Sequence, residues 1–462
     1  MTAQAPDLPV DAALPASLRK ATRVWAKIGL MSFGGPAGQI AVMHRELVED
    51  RRWISDARFL HALNYCMLLP GPEATQLAIY IGWMLNRTAG GLIAGILFVL
   101  PGFVTILALS VVYALYGQVP WIMAVFFGLK AAVLAVVIEA VLRIGRKAIK
   151  NRIMLAVAAL ACVAIFFFRV PFPLIVLGAG LIGLLGRWWM PHSFPAPGSA
   201  AADASSDYLI DRLLGCGQLR HTRPSAARAV RVLVIWLAIW WLPVLAIIGM
   251  FGAQSVLARE GIFFSQAAMV TFGGAYAVLA YIAQRAVGGF HWISAGQMLD
   301  GLALAETTPG PLIMVVQFVA FLGAYFHQTG LSSMTAGVVG SVLTAWVTFA
   351  PCFLWIFLGA PFIEKLRGNV ALAGAMSAIT AAVVGVILNL AIWFGLHTLF
   401  AEVATVSLGS LRLDVPVLQS AVPAAIALSA AAAIAIFRFK TSVITTLMAC
   451  AIAGMLWTLA VG

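Results

Sequence analysis

Residues 32–38 read SFGGPAG, and residues 271–277 read TFGGAYA. Both stretches lie inside long apolar runs, where a double glycine is a poor choice for a helix that only has to span a membrane. The same offset of 239 positions relates two further triplets: Trp53-Ile54-Ser55 to Trp292-Ile293-Ser294, and Pro70-Gly71-Pro72 to Pro309-Gly310-Pro311. Three identical triplets in one register define an internal duplication. The register then drifts, so that Pro101 and Phe103 pair with Pro351 and Phe353, and Gly128-Leu129-Lys130-Ala131-Ala132 with Gly374-Ala375-Met376-Ser377-Ala378.

Composition sets the solvent. The chain of 462 residues is 62% hydrophobic and 10% charged, with a mean hydropathy of +0.99. A soluble chain cannot bury that much apolar surface, so the bilayer is its solvent. Thirteen apolar segments, many about 20 residues long, predict helices rather than the short alternating strands of a barrel. The expectation is an all-α polytopic membrane protein of two homologous halves with broken or re-entrant helices. Residues 1–23 form a polar, cytoplasmic N-terminal segment with no apolar signal core. The first half covers 24–190, a polar cytoplasmic linker 191–228, an extra connecting helix 229–253, and the second half 262–461.

The net charge of +12 would suggest nucleic acid in a soluble protein. Here the cations set topology instead, and no nucleic acid is expected. With the N-terminus cytoplasmic and the broken segments re-entrant, 24 of the 29 Lys and Arg fall on the cytoplasmic side. The bias reverses between halves: loop 45–58 holds four arginines, whereas its counterpart near 285–294 holds one. The two halves are therefore expected to lie antiparallel, an inverted repeat of the kind alternating-access transporters use.

A helix broken within the membrane exposes backbone N–H and C=O groups that protein, water or ligand must satisfy. Half-helices starting after Gly34-Gly35-Pro36, after Gly71-Pro72, after Gly273-Gly274 and after Gly310-Pro311 would aim free N–H groups and positive dipole ends at a shared cavity, which suits an anion. Close packing of small residues is the competing role for these glycines. Among side chains, Lys130 is the one basic residue deep in a span. It either attracts an oxyanion or pairs with an acid, though Glu139, nine residues on, lies too far along the same helix. Glu73 and Gln76 follow the first Pro-Gly-Pro. Glu73 is a candidate coupling carboxyl or a cap on its half-helix, and Gln76, Glu139 and Glu306 are further coupling or gating candidates. Thr308 either donates to an oxyanion or bonds its own backbone.

The repeated Phe-Gly-Gly, the Pro-Gly-Pro about 35 residues later and the Gly-Leu-Lys-Ala-Ala-Val segment resemble the chromate ion transporter family in its long, two-domain form. The resemblance spans roughly residues 20–190 and 260–460. It implies export of chromate, a tetrahedral dianion similar to sulfate, across a bacterial cytoplasmic membrane, with chromate resistance as the result. The second half departs from the first: Ala275 stands for Pro36, Leu312 for Glu73 and Met376 for Lys130. The alternatives are a sulfate or other oxyanion carrier and an anion channel. An enzyme is not expected. The five cysteines lack CxxC spacing and the histidines are isolated, so no metal or cofactor is implied, and no GxxxxGK[ST] loop is present. Chromate, possibly with sulfate, and the lipid bilayer are the expected partners. A homodimer is left open by the sequence.

Overall fold

The computed structural model describes residues 16–189, 208–215, 219–222, 224–272, 274–362, 370–408 and 411–461. Helix dominates. In the first half, α1 (Leu18–Met31) and α2 (Gly35–His44) are followed by one π-helical turn (Arg45–Glu49). Then come α3 (Asp56–Cys66), α4 (Glu73–Tyr116), α5 (Pro120–Ala148), α6 (Arg152–Phe168) and α7 (Phe172–Trp189). A short α8 (Leu209–Gly215) and a long α9 (Ala226–Phe251) connect to the second half. That half comprises α10 (Val256–Met269), α11 (Ala275–Ala286), α12 (Ala295–Thr307), α13 (Val315–Phe326), α14 (Ser333–Gly359), α15 (Val370–Leu399), α16 (Pro423–Phe437) and α17 (Val443–Val461). Six of these helices are long and apolar enough to cross a membrane: α4, α5, α9, α14, α15 and α17.

The breaks fall where the sequence puts glycine and proline. The run 24–44 splits between α1 and α2 at Gly34 and Gly35, whose φ angles of 79° and 71° are left-handed and strain any residue with a Cβ. Gly71, Gly274 and Gly310 likewise take φ of 126°, 105° and 99°. Helix α4 also breaks at Asn86 and Arg87, matching the connection 327–332 between α13 and α14. The halves thus correspond element by element: α1–α3 with α10–α12, the two parts of α4 with α13 and α14, and α5–α7 with α15–α17.

The last three helices of each half interlock with the other half. Helix α5 packs along α16 and α17, while α15 packs along α6 and α7. Small residues make these crossings possible. A Cβ on Gly128 of α5 would collide with the Cys450 carbonyl of α17, and one on Gly183 of α7 would collide with the Gly374 carbonyl of α15. Close backbone approach of this kind is how helices associate where lipid is as apolar as their side chains. Large apolar residues such as Leu100, Leu160, Leu177 and Leu456 point outward, as a lipid-facing surface requires.

Two features stand outside the repeat. Helix α9 lies against α10 and α14. There Trp236 stacks on Phe353 at 5.2 Å, and the Trp240 indole donates to Ser265 Oγ at 3.2 Å. Between α15 and α16 the chain forms an antiparallel hairpin, β1 (Val403–Leu408) with β2 (Leu411–Pro416), where the all-α expectation had no strand. Alternation in Leu411-Arg412-Leu413-Asp414-Val415 is the strand signal. Arg169, between α6 and α7, anchors the hairpin through Asp414 at 2.9 Å.

Candidate functional site at the helix breaks

The breaks meet in pairs, one from each half. The residue before each Phe-Gly-Gly offers its carbonyl to the Pro-Gly-Pro of the other half. Gly310 N donates to Ser32 O at 2.8 Å, and Gly71 N donates to Thr271 O at 2.8 Å. The two bonds are exchanged copies of one another, because 32 and 271, and 71 and 310, share the repeat offset. A second reciprocal approach surrounds them: a Cβ on Gly310 would press on Gly102 Cα, and one on Gly71 on Cys352 Sγ. Glycine is needed at both turns for the angle and for the approach. Backbone groups that a break would orphan in the bilayer are therefore partly satisfied across the two halves.

The two helix starts that follow Phe-Gly-Gly differ. Around Gly34 and Gly35 an added Cβ would meet nothing within 4 Å, so the start of α2, with Pro36 in its first turn, faces open space. At the corresponding start of α11, a Cβ on Gly274 would lie 3.8 Å from Glu73 Oε1. The protein's own Glu73 carboxyl group thus lies beside that start, and Leu312 stands at its position in the other copy. Gly273 lies outside the described residues. Pro72 and Pro311 precede the Glu73 start of α4 and the short 3-10 turn leading into α13. Gln39 of α2 reaches across to donate to the Gly310 carbonyl at 2.6 Å, a tie the sequence reading did not find.

The polar side chains divide into tied and open groups. Thr308 turns back to its own helix, donating to Ala305 O at 3.4 Å, which is the local role. Gln76 donates to Pro70 O at 2.8 Å, bracing the Pro-Gly-Pro turn, while its buried Oε1 has no partner. Glu306 accepts from Tyr276 Oη at 2.5 Å, joining the end of α12 to the start of α11. Glu139 pairs with Arg143, one turn on, at 3.6 Å.

Lys130 is not a lone cation. Its Nζ lies 3.1 Å from Asp300 Oδ1, and Tyr113 Oη donates to Asp300 Oδ2 at 2.7 Å. Asp300 is buried, whereas Lys130 keeps about a quarter of its side chain exposed. The trio joins α4 and α5 of one half to α12 of the other. Asp300 escaped the sequence reading because it sits inside the apolar run 295–326. A lone acid in such a run was the available signal.

Outside the membrane, the 45–58 loop is built around Glu46. This buried carboxylate takes Lys27 at 2.6 Å and Arg51 on its other oxygen. Burial opposes its ionisation, but the two cations prevail and hold it below the usual glutamate range. Beside it, Lys20, Arg51, Arg52, Trp53 and Arg212 line an open cavity of about 530 Å³. Helix α8 closes over this loop through Leu209 N to Arg52 O at 3.1 Å and Arg58 to Asp211 at 2.7 Å.

A multi-pass helical bundle whose broken helices pair across two repeated halves is an architecture that membrane transport proteins use. The chain belongs to the chromate transporter family, whose model matches residues 19–184 and 260–455. It is 33% identical to a chromate transport protein of Pseudomonas aeruginosa, over 78% of this chain and 77% of the relative. It is 29% identical to a chromate transport protein of Cupriavidus metallidurans, over 80% and 81% of the two chains. A probable chromate transport protein of Synechococcus elongatus is 28% identical over 83% and 86%. No solved structure matches the chain.

Proposed function

We propose that this protein is a secondary transporter that carries chromate out of the cell by alternating access, confers chromate resistance and accepts sulfate as a competitor. The observation that carries the mechanism is the reciprocal pair of bonds, Gly310 to Ser32 and Gly71 to Thr271. Relations that exchange the two halves support an inverted repeat rocking about a fixed centre.

The oxyanion sits at the open start of α2, on the free N–H groups that follow the Gly34-Gly35 break, with Pro36 in that first turn and the Gly71-Pro72, Gly274 and Gly310-Pro311 breaks around it. Lys130 is the mobile cation. A dianion arriving near it competes with Asp300, so the trio closes when the site is empty and opens when it is filled. Glu73 fills the start of α11 and leaves one anion seat rather than two. The N-terminus is cytoplasmic, in the inner membrane, and the basic cavity at Lys20, Arg52 and Arg212 gathers anions at the inner mouth. Export runs downhill in the membrane potential: two negative charges leaving an inside-negative cell gain roughly 4.6 kcal/mol per 100 mV.

Chromate flux in right-side-out and inside-out vesicles under a clamped potential tests this. Outward, potential-driven movement that sulfate inhibits is the expected result. Flux without saturation or competition would instead identify a channel, and absence of chromate flux would remove the substrate.

A further inference from the structure

The second half buries a carboxyl group that no part of the proposed site uses. Glu260, one turn into α10, has no solvent exposure, and neither of its carboxyl oxygens has a hydrogen-bond partner. The pocket is shaped for it. An added Cβ on Gly323 of α13 would lie 2.7 Å from Oε1, and one on Gly340 of α14 would lie 2.7 Å from Oε2. Two glycines on two different helices thus leave room for one carboxyl group. The first half has no counterpart, since the repeat offset puts Ala21 at this position.

Among the described residues, no cation neutralises the group. Helix α10 packs against α9, α11, α13 and α14. Its own Arg259 is exposed and bonded to Gln254. The charged residues of α9 are Arg228 and Arg231 in its first two turns. Helix α11 carries Tyr276, held by Glu306, with Tyr281 and Arg285, and Arg285 lies over the Phe290 ring at 4.7 Å. Helix α13 carries Tyr325, and His327 at its end donates from Nδ1 to Gly323 O at 2.8 Å. Helix α14 carries only Cys352, about three turns beyond Gly340. A bare carboxylate in such a place costs far more than a protein tolerates. In this conformation the group is the neutral acid, and it can ionise only if water reaches it.

We infer that Glu260 is a proton-binding site of the transport cycle, loading a proton where α10 meets the α13–α14 connection and releasing it when α10 parts from α13 and α14. The inference rests on the transport reading above. A lone pair on the carboxylate takes the proton from water, and the same O–H bond breaks on release. No other bond changes. In the proposed topology this end of α10 faces outward, together with Arg259, Arg285 and His327. Loaded at this outward end and released to the inner side once α10 has parted from α13 and α14, the proton enters as the oxyanion leaves.

Infrared difference spectroscopy of the whole protein in liposomes tests proton binding without any cargo. The expected result is a carboxylic-acid C=O band that shifts in heavy water, fades as pH rises and is missing in Glu260→Gln. A band that neither exchanges nor titrates would mark a sealed structural acid and overturn the inference. If Glu260→Gln does not fold, Glu260→Asp serves the same comparison by displacing the band. Transport supplies the second arm. At clamped potential, each pH unit of gradient, acid outside, is expected to shift the chromate ratio about tenfold per coupled proton, and Glu260→Gln should abolish that dependence. Chromate movement indifferent to the gradient in the normal protein would overturn coupling. If no chromate moves at all, the cargo assignment fails, and the infrared result still decides whether Glu260 binds a proton.

Discussion

Lys130 Nζ stands 3.1 Å from Asp300 Oδ1, an ion pair between α5 of the first half and α12 of the second. Removing one partner of a buried pair leaves the other charge stranded, at a cost of about 3–5 kcal/mol. Lys130→Met is therefore expected to lower thermal stability and abolish chromate flux. The double variant Lys130→Met/Asp300→Asn should recover stability without recovering flux. Asp300→Asn alone frees the lysine, so chromate should bind several-fold more tightly and leave more slowly. A double variant that transports normally would show that Lys130 serves only the fold. Melting curves and vesicle flux on the same preparations separate these outcomes.

Glycine at the helix crossings gives a sharper structural prediction. Gly128→Val and Gly183→Val drive a side chain into the backbone of α17 and α15 respectively. Both should prevent assembly or cost several kcal/mol. Gly178→Val, on the same helix as Gly183, meets nothing within 4 Å and should be tolerated. Yield of monodisperse protein in detergent reads the contrast directly.

Glu46 predicts a pH effect on stability. Its folded form ionises more readily than the ordinary value of 4.5 allows. Its contribution is thus complete above that value and is lost as pH falls through the lower, folded one. Glu46→Gln should cost roughly 2 kcal/mol at neutral pH and should flatten the loss of stability under acid. Thermal unfolding across the acid range in both proteins tests the sign.

The antiparallel arrangement predicts sidedness. In a background freed of native cysteines, Arg45→Cys and Arg285→Cys should label from opposite sides of the membrane with an impermeant thiol reagent. Labelling of both from one side would show parallel halves.

Much of this was legible because duplication writes every signal twice. Phe33-Gly34-Gly35 and Phe272-Gly273-Gly274 located the breaks, and Pro70-Gly71-Pro72 with its copy located the turns that bond to them. Partners across the halves were not legible. Asp300 is 170 positions from Lys130, and nothing in a local window pairs them. Glu260 sits between predicted segments, beside Arg259 and Gly261, where an acid looks like loop composition. Only the approach of Gly323 and Gly340 shows that it is enclosed. The hairpin at 403–416 was missed because its two alternating runs are short and lie between long apolar segments.

The crossing of α5 with α16 and α17, and of α15 with α6 and α7, has a consequence for how such a chain arises. Neither half encloses an interior of its own. A free-standing half would have to trade its last helices with a second copy, and both copies would then be bound to the same residue at every position. Joining them through α9 lifts that constraint. Glu73 can face Leu312, Lys130 can face Met376 and Ala21 can face Glu260, so one copy can specialise in cargo while the other specialises in what drives it.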